Sequence, residues 1–587
     1  MEYVRLRGIG VSPGVAIGDV LLMERVIFSS RKETISSAQV EKEIKRLNKA
    51  VEKTKKDLTK IKDSVKKKIG EDHSFIFEAH LSILEDKSLV PNMENSIRKE
   101  KVRAEWAISQ LHNKYMKIFE SLADEYFRQR KDDVTDVLSK LYINLESSRK
   151  KEKEDGGEKV LVGHDLLPSE AALRLSQGNV LAVALDMGGQ TSHTAILARS
   201  MNIPTVLGLS QITKKVKNGD RIIVDGTDGE VIIDPPLAIR KEFEEKKVRY
   251  DDYRLELRKT AALTSSTLDG TKFTPLANIE LPEEVKSALS LGAEGIGLFR
   301  SEFIYFQKTS LPSVEDHFRA YNKIAKEADP APVYIRTVDI GGEKNLPQLN
   351  IEKEPNPALG LRAIRFSLSD REHFRIQLRA ILRASVLKNV RILIPMITEI
   401  EEIEEVKQLI YSVMEELRSQ KIPFDENIPL GVMIEVPAAA AITDLLVKEV
   451  DYLSIGTNDL IQYYLAVDRS NELVSYLFKP LHPSVLRLLK YIIETANKAG
   501  KEITVCGEMA ADPLSAMVLL GLGLRKFSMN PIFIPRIKKA FRSVDARTVK
   551  KIVSKAMELR TAQEIEEYII EQILVKHPEA FLMSEIT

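Results

Sequence analysis

Residues 430–460 read LGVMIEVPAAAAITDLLVKEVDYLSIGTNDL. Leu430–Val436 and Tyr452–Ile455 are short apolar runs. Glu435 sits near the end of the first, and Asn458 and Asp459 lie just past the second. Apolar runs without alternation belong to strands covered on both faces, as in a parallel sheet. Outward from this unit the texture repeats. Thr274–Ile279, Gly295–Phe299, Val333–Val338, Arg391–Pro395, Ile503–Val505 and Lys526–Ser528 bring the set to eight strands separated by helical patterns. That is what a closed (β/α)8 barrel requires.

The N-terminal half has a different rhythm. The first 20 residues are Gly-rich and strand-like around Val4-Arg5-Leu6 and Val15-Ala16-Ile17. Val40, Ile44, Leu47, Val51, Leu58, Ile61 and Val65 then recur at helical spacing. Helical patterning continues through Phe75–Leu84, Ala104–Ala123 and Thr135–Leu145. Strand texture returns at Lys159–Val162 and Val180–Leu185, and Arg221–Val224 with Val231–Ile233 reads as a hairpin around Asp228-Gly229. The early strands need partners, which the later ones supply. The expected architecture is multidomain α/β: a discontinuous α/β domain from 1–20 and 150–235, an inserted α-helical domain over 21–149, a linker helix over 236–263, and a TIM-like barrel over 264–587.

Composition narrows the function classes. The 587 residues carry 87 Lys+Arg against 86 Asp+Glu, a net charge of +1, so no overall bias points to nucleic acid or a membrane surface. No stretch reaches the roughly 18 apolar residues needed to span a bilayer, and the start lacks signal-peptide character. The single cysteine, Cys506, allows no intrachain disulfide, as suits a reducing compartment. A cytoplasmic protein without membrane insertion is expected.

Barrel enzymes build their sites at the C-terminal strand ends. Those ends carry Arg300, Arg336 with Asp339, Glu435, Asn458 with Asp459, and Cys506; Arg469 follows ten residues after Asp459, and Arg362 and Arg365 lie in the connection after strand three. Arginine's planar fork suits carboxylate and phosphate. Glu435 and Asp459 offer the oxygen ligands that Mg²⁺ prefers. Taken singly, each residue is more often a cap, a surface ion pair or, for Cys506, a small buried hydrophobe. Together they point to a small, multiply charged anion held with a divalent cation. A second centre is GGQTSHTAILAR over 188–199, where His193 opens an apolar helix; free N–H groups there favour a phosphate-bearing side chain. No nucleotide-binding GxxxxGK[ST], kinase signature or zinc spacing is found.

These motifs, GGQTSHTAILARS and SIGTNDLIQYYLAVDR with IGLFRSEF, IRTVDIGGEK, GVMIEVPAA and CGE in order, closely resemble Enzyme I of the bacterial sugar phosphotransferase system. The resemblance runs nearly end to end, including GIGVSPGVAIG and FEAHLSILED. It implies that the α/β domain is a swivelling phosphohistidine domain, and that phosphoenolpyruvate binds the barrel with Mg²⁺ and phosphorylates His193 on Nε2. It further implies transfer to the carrier HPr, docked on the helical insertion around His80, Leu84 and Asp86, and a homodimer formed through the barrel. Arg300, Arg336, Asn458, Asp459, Arg469 and Arg362 match the substrate contacts, Glu435 and Asp459 the metal ligands, and Cys506 the proton donor that yields pyruvate.

Three departures stand out. Gln190 replaces a usual Arg, Ala171 a usual Thr, and Lys87-Ser88 a usually acidic pair. Other readings are a dikinase, which would need a nucleotide-binding domain, a nitrogen-regulatory relative, and a catalytically silent scaffold.

Overall fold

The computed structural model describes residues 3–23, 28, 31–68, 75–86, 88–121, 125–145, 157–176, 178–189, 192–201, 203–306, 311–341, 354–469, 471 and 473–574. The chain forms two compact units that divide between Tyr253 and Arg254.

The first unit is built on an eight-stranded sheet. Its strands are β1 (Val4–Arg7), β2 (Ile9–Ser12), β3 (Val15–Leu22), β4 (Lys159–Gly163), β5 (Val180–Leu185), β6 (Thr205–Leu207), β7 (Arg221–Asp225) and β8 (Glu230–Ile233), in the order β1-β8-β7-β3-β4-β5-β6-β2. The N-terminal strand β3 is central, parallel to β4 through Leu21 opposite Leu161 and antiparallel to β7 through Ala16 opposite Val224. Helices Val40–Lys68, Phe75–Leu84, Leu89–Glu100, Ala104–Ser121 and Glu125–Leu145 lie in sequence between β3 and β4. Their inward stripe, including Leu47, Leu58, Ile97, Ile108 and Leu138, is buried in one apolar cluster with Leu161, Val183 and Leu185 of the sheet. Amphipathic helices this charged are held by such packing rather than by propensity.

One helix, Leu237–Ala261, follows the sheet. Its first half packs on the first unit, where Phe243 meets Val15, Ile223 and Ile232. Lys246 Nζ lies 2.7 Å from Asp225 Oδ2 and 2.5 Å from Asp228 Oδ2, with Asp225 fully buried. Removing the cation strands a buried carboxylate, and such a loss typically costs several kcal/mol. Lys246→Met is therefore expected to destabilise the first unit by about 2 kcal/mol, allowing for partial solvent access. A urea melt followed by a probe in this unit checks it; an unchanged midpoint would show the pair contributes nothing.

The second unit is a closed parallel barrel of β9 (Thr274–Ile279), β10 (Ile296–Arg300), β11 (Val333–Arg336), β12 (Val390–Ile394), β13 (Leu430–Ile434), β14 (Tyr452–Ile455), β15 (Glu502–Val505) and β16 (Lys526–Met529). The fold class expected from sequence is the one found. Cross-strand register sets the rim: Arg300 pairs with Arg336, Ile434 with Ile455, and Ile455 with Val505. Leu276, Leu298, Tyr334, Leu393, Met433, Tyr452 and Cys506 fill the interior. At the opposite end Glu502 is held by Arg391 at 3.0 Å, Lys526 at 2.6 Å and the Tyr334 hydroxyl. Polar side chains close that end, and the C-terminal rim stays open.

Candidate active site

The rim opens into a cavity of about 230 Å³, bordered by Arg300, Arg336, Asp339, Arg362, Glu435, Asn458, Asp459, Arg469 and Cys506. All but one of the barrel residues singled out from sequence line it. The sequence brings them together because each lies at the end of β10, β11, β13, β14 or β15, or in the connection that follows. Arg365 is the exception: its Nη1 instead donates to the Leu359 and Gly360 carbonyls, at 2.9 and 3.2 Å.

The charges are held in a definite order. Arg336, almost wholly buried, donates from Nη2 to Glu302 Oε1 at 2.8 Å and lies 3.3 Å from Asp339 Oδ2 through Nη1. Its Nε has no hydrogen-bond partner among the described residues. Burial opposes its charge, but the carboxylates of Glu302, Asp339 and Glu435 outweigh that and hold it more firmly protonated than usual. Arg362 grips Asp339 in a two-pronged pair, Nε to Oδ1 at 2.8 Å and Nη2 to Oδ2 at 3.0 Å. The same Nη2 reaches Asp459 Oδ2 at 3.0 Å, and Nη1 donates to the Tyr463 hydroxyl at 3.1 Å. Arg300 and Arg469 are more exposed, the first 2.8 Å from Glu280 and the second 4.0 Å from Asp459. Asn458 and Glu508 lock each other: the Asn458 amide donates at 3.1 Å and its carbonyl accepts from the Glu508 N–H at 2.9 Å.

Glu435 is buried and accepts from the Met396 N–H at 2.7 Å. Burial, together with the carboxylates of Asp459 and Asp339, pushes it up to about 8, against the pull of Arg336 and Arg362. A Cβ on Gly456 would come within 2.6 Å of Glu435 Oε2, so glycine keeps the space beside that carboxylate clear. Because the folded pKa exceeds the ordinary 4.5, Glu435's contribution to stability is present below about pH 4.5 and is lost as pH rises through about 8. Glu435→Gln is expected to raise the melting temperature in metal-free buffer at pH 8 relative to wild type, with the advantage shrinking at pH 5. Equal differences at the two pH values would contradict this.

Cys506 sits in the topmost interior layer. Ser454 Oγ donates to its sulfur at 3.4 Å, and Thr504 Oγ1 donates to Ser454 Oγ at 3.0 Å. Burial raises the thiol to about 11; the Ser454 hydroxyl and the guanidinium charges of Arg336 and Arg300 only partly offset it. At neutral pH the sulfur therefore keeps its proton.

Three family descriptions match the chain: PEP-utilising enzyme, N-terminal, over residues 7–130; its mobile domain over 156–229; and its PEP-binding domain over 254–546. The chain is 40% identical to the phosphoenolpyruvate-protein phosphotransferase of Geobacillus stearothermophilus over 96% of its own length and 97% of that protein's. The chain belongs to the phosphoenolpyruvate-protein phosphotransferase family. The same name is borne by relatives in Haemophilus influenzae, at 40% identity over 97% of this chain and 99% of that one, and Staphylococcus carnosus, at 39% over 97% and 99%. The protein is thus a phosphotransferase enzyme.

In the first unit of this phosphotransferase, His193 is the first residue of helix His193–Ser200, and Ser192 caps that helix by accepting the Ala195 N–H at 3.3 Å. Gly188, with φ +107°, makes the turn before it, in the left-handed region that favours glycine. Thr194 Oγ1 donates to the Leu166 carbonyl at 3.2 Å, tying the helix to the segment that carries Ala171, whose methyl is fully buried. Gln190 and Lys87 lie outside the described residues.

Of the three residues expected at the carrier face, two are buried. His80 is fully buried and lies 3.1 Å from Asp133 and 3.7 Å from Asp136, while Leu84 is buried in the helical core. The short helix Phe75–Leu84 turns both inward, because a histidine between two carboxylates and a leucine on the apolar stripe gain more from burial than from solvent. Only Asp86 is exposed, and the Ser88 hydroxyl and N–H, at 2.6 and 2.7 Å, hold its carboxyl below the usual range. Sequence reading also passed over Glu302 and Tyr463; the acid in FRSEF, two residues after Arg300, was the available signal.

Proposed function

We propose that the enzyme takes the phosphoryl group of phosphoenolpyruvate on His193 and passes it to an HPr-type carrier, releasing pyruvate as the first step of the sugar phosphotransferase system. The observation that carries this is the convergence of four arginines, Arg300, Arg336, Arg362 and Arg469, with Asn458 and Cys506 on one cavity. A small trianionic substrate needs that density of charge-assisted donors. The bond from phosphorus to the enol oxygen breaks, and the bond from phosphorus to His193 Nε2 forms. The enolate's terminal carbon then takes the Cys506 proton, giving pyruvate, and solvent restores the thiol.

Arg336, whose Nε has no partner among the described residues, and the more exposed Arg300 and Arg469 orient the carboxylate and phosphoryl oxygens. Phosphoryl transfer is mostly positioning and charge stabilisation, so these groups supply most of what the step demands. The donor chemistry fits Mg²⁺, because Glu435 and Asp459 are hard oxygen donors crowded closely enough to raise Glu435's proton affinity. They would hold the ion, which when bound supplies neutralisation of phosphoryl charge. At His193, the helix N-terminus favours both a neutral imidazole and its phosphorylated form. Among homologous functions, the dikinase reading has no support in the helical insertion, whose described elements before β4 are all helices.

The test is sequential. Enzyme labelled from phosphoenolpyruvate is freed of substrate and mixed with HPr. Label moving to a histidine of the carrier supports the reading, and label that stays on the enzyme contradicts the carrier step.

A further inference from the structure

We infer that Glu302 is a positioning residue that presets the anion-binding arm of the cavity; this rests on the phosphoenolpyruvate reading above. Glu302 opens the short helix Glu302–Phe306, directly after β10, and is buried. Its Oε1 accepts two hydrogen bonds at once, from Arg336 Nη2 at 2.8 Å and from the Asp339 N–H at 2.8 Å. One carboxylate oxygen thereby fixes the guanidinium that lines the cavity and the backbone of the residue that holds Arg362. From Asp339 the chain of contacts runs through Arg362 to Asp459, each link between 2.8 and 3.0 Å. Glu302 does not border the cavity, so it acts through Arg336 and Asp339.

Behind it the β11 end is anchored a second time. Ser301 Oγ donates to the Arg336 carbonyl at 2.9 Å. Gln377 accepts the Val338 N–H at 3.0 Å and donates to Ser301 Oγ at 3.0 Å. Backbone placement thus has two supports, while among the described residues the Arg336 side chain is oriented by Glu302 and Asp339 alone. An arginine left free must be ordered by the substrate itself, at the expense of binding. Once substrate is bound, its own charge restores the orientation, so the loss falls on KM more than on kcat.

The test is Glu302→Gln in the full chain, which keeps the shape and removes the charge. The expected result is a KM for phosphoenolpyruvate raised by about tenfold or more, the scale of a charge-assisted hydrogen bond. kcat and phosphoryl transfer from labelled His193 to HPr, both read in the same preparations, should stay within about twofold. Placed on Arg336→Lys, the same change is expected to add little, since the group it orients is already altered. A KM within twofold of wild type, or a full multiplicative loss in the double variant, would overturn the role. Should Glu302→Gln lower the melting temperature, Glu302→Asp is measured against the same criteria. Wild type runs alongside: no label on wild type from phosphoenolpyruvate sinks the underlying reading and this inference with it. Label on wild type with an unshifted variant KM sinks the inference alone.

Discussion

His193→Ala is expected to take no label from phosphoenolpyruvate, a loss on the order of 10³-fold or more, as is usual when a covalent nucleophile is removed. The physical reason is that an imidazole nitrogen both accepts a phosphoryl group and gives it up in a second step, and the alanine methyl offers no nucleophile. The variant should nonetheless fold, because the residue opens its helix after Ser192, whose side chain supplies the cap. Binding of phosphoenolpyruvate to the barrel should also survive, since the cavity is lined wholly by residues of the second unit. Calorimetric titration with phosphoenolpyruvate separates the two effects: binding kept and labelling gone is the expected pair. Retained labelling of the variant would place the acceptor elsewhere.

Cys506→Ala is expected to slow pyruvate release by on the order of 10²-fold, the lower range for general acid catalysis, while changing phosphoenolpyruvate affinity little. Geometry and protonation both favour this split. The sulfur sits beneath the charged rim with the Ser454 hydroxyl directed at it, and burial holds the thiol at about 11, so it enters neutral solution fully protonated. No inflection from this group should appear in the rate between pH 6 and 9. The phosphorylation half-reaction should suffer less than pyruvate formation, and enolpyruvate leaving the site would tautomerise slowly in solution. Rapid-quench measurement of His193 labelling beside pyruvate release gives both numbers. Equal loss in the two, or none in either, would remove Cys506 from the acid role.

The barrel was legible because parallel strands covered on both faces need continuous apolar runs, and all eight appear in the sequence within two residues of their observed bounds. The rim was legible for a related reason: in this fold the residues that end or closely follow each run are delivered to one end. Thus Arg300, Glu435, Asn458 and Cys506 could be brought to one place without a structure. What stayed hidden has physical causes too. β6, Thr205–Leu207, is three residues long and carries no period. His80 and Leu84 face inward because the helix is set by its partners, Asp133, Asp136 and the core, which lie far away in sequence. Glu302 and Asp339 were both visible as acids near strand ends, yet only the register of β10 against β11 reveals that one holds Arg336 from each side.

The central claim is that the phosphoryl donor is phosphoenolpyruvate and the acceptor His193. The most direct measurement incubates the wild-type protein and Mg²⁺ with phosphoenolpyruvate labelled in its phosphoryl group, beside a parallel sample given labelled ATP, and maps the modified peptide. Acid-labile, base-stable label on His193 from phosphoenolpyruvate alone is the predicted result. Label from ATP, or none from either donor, would contradict it.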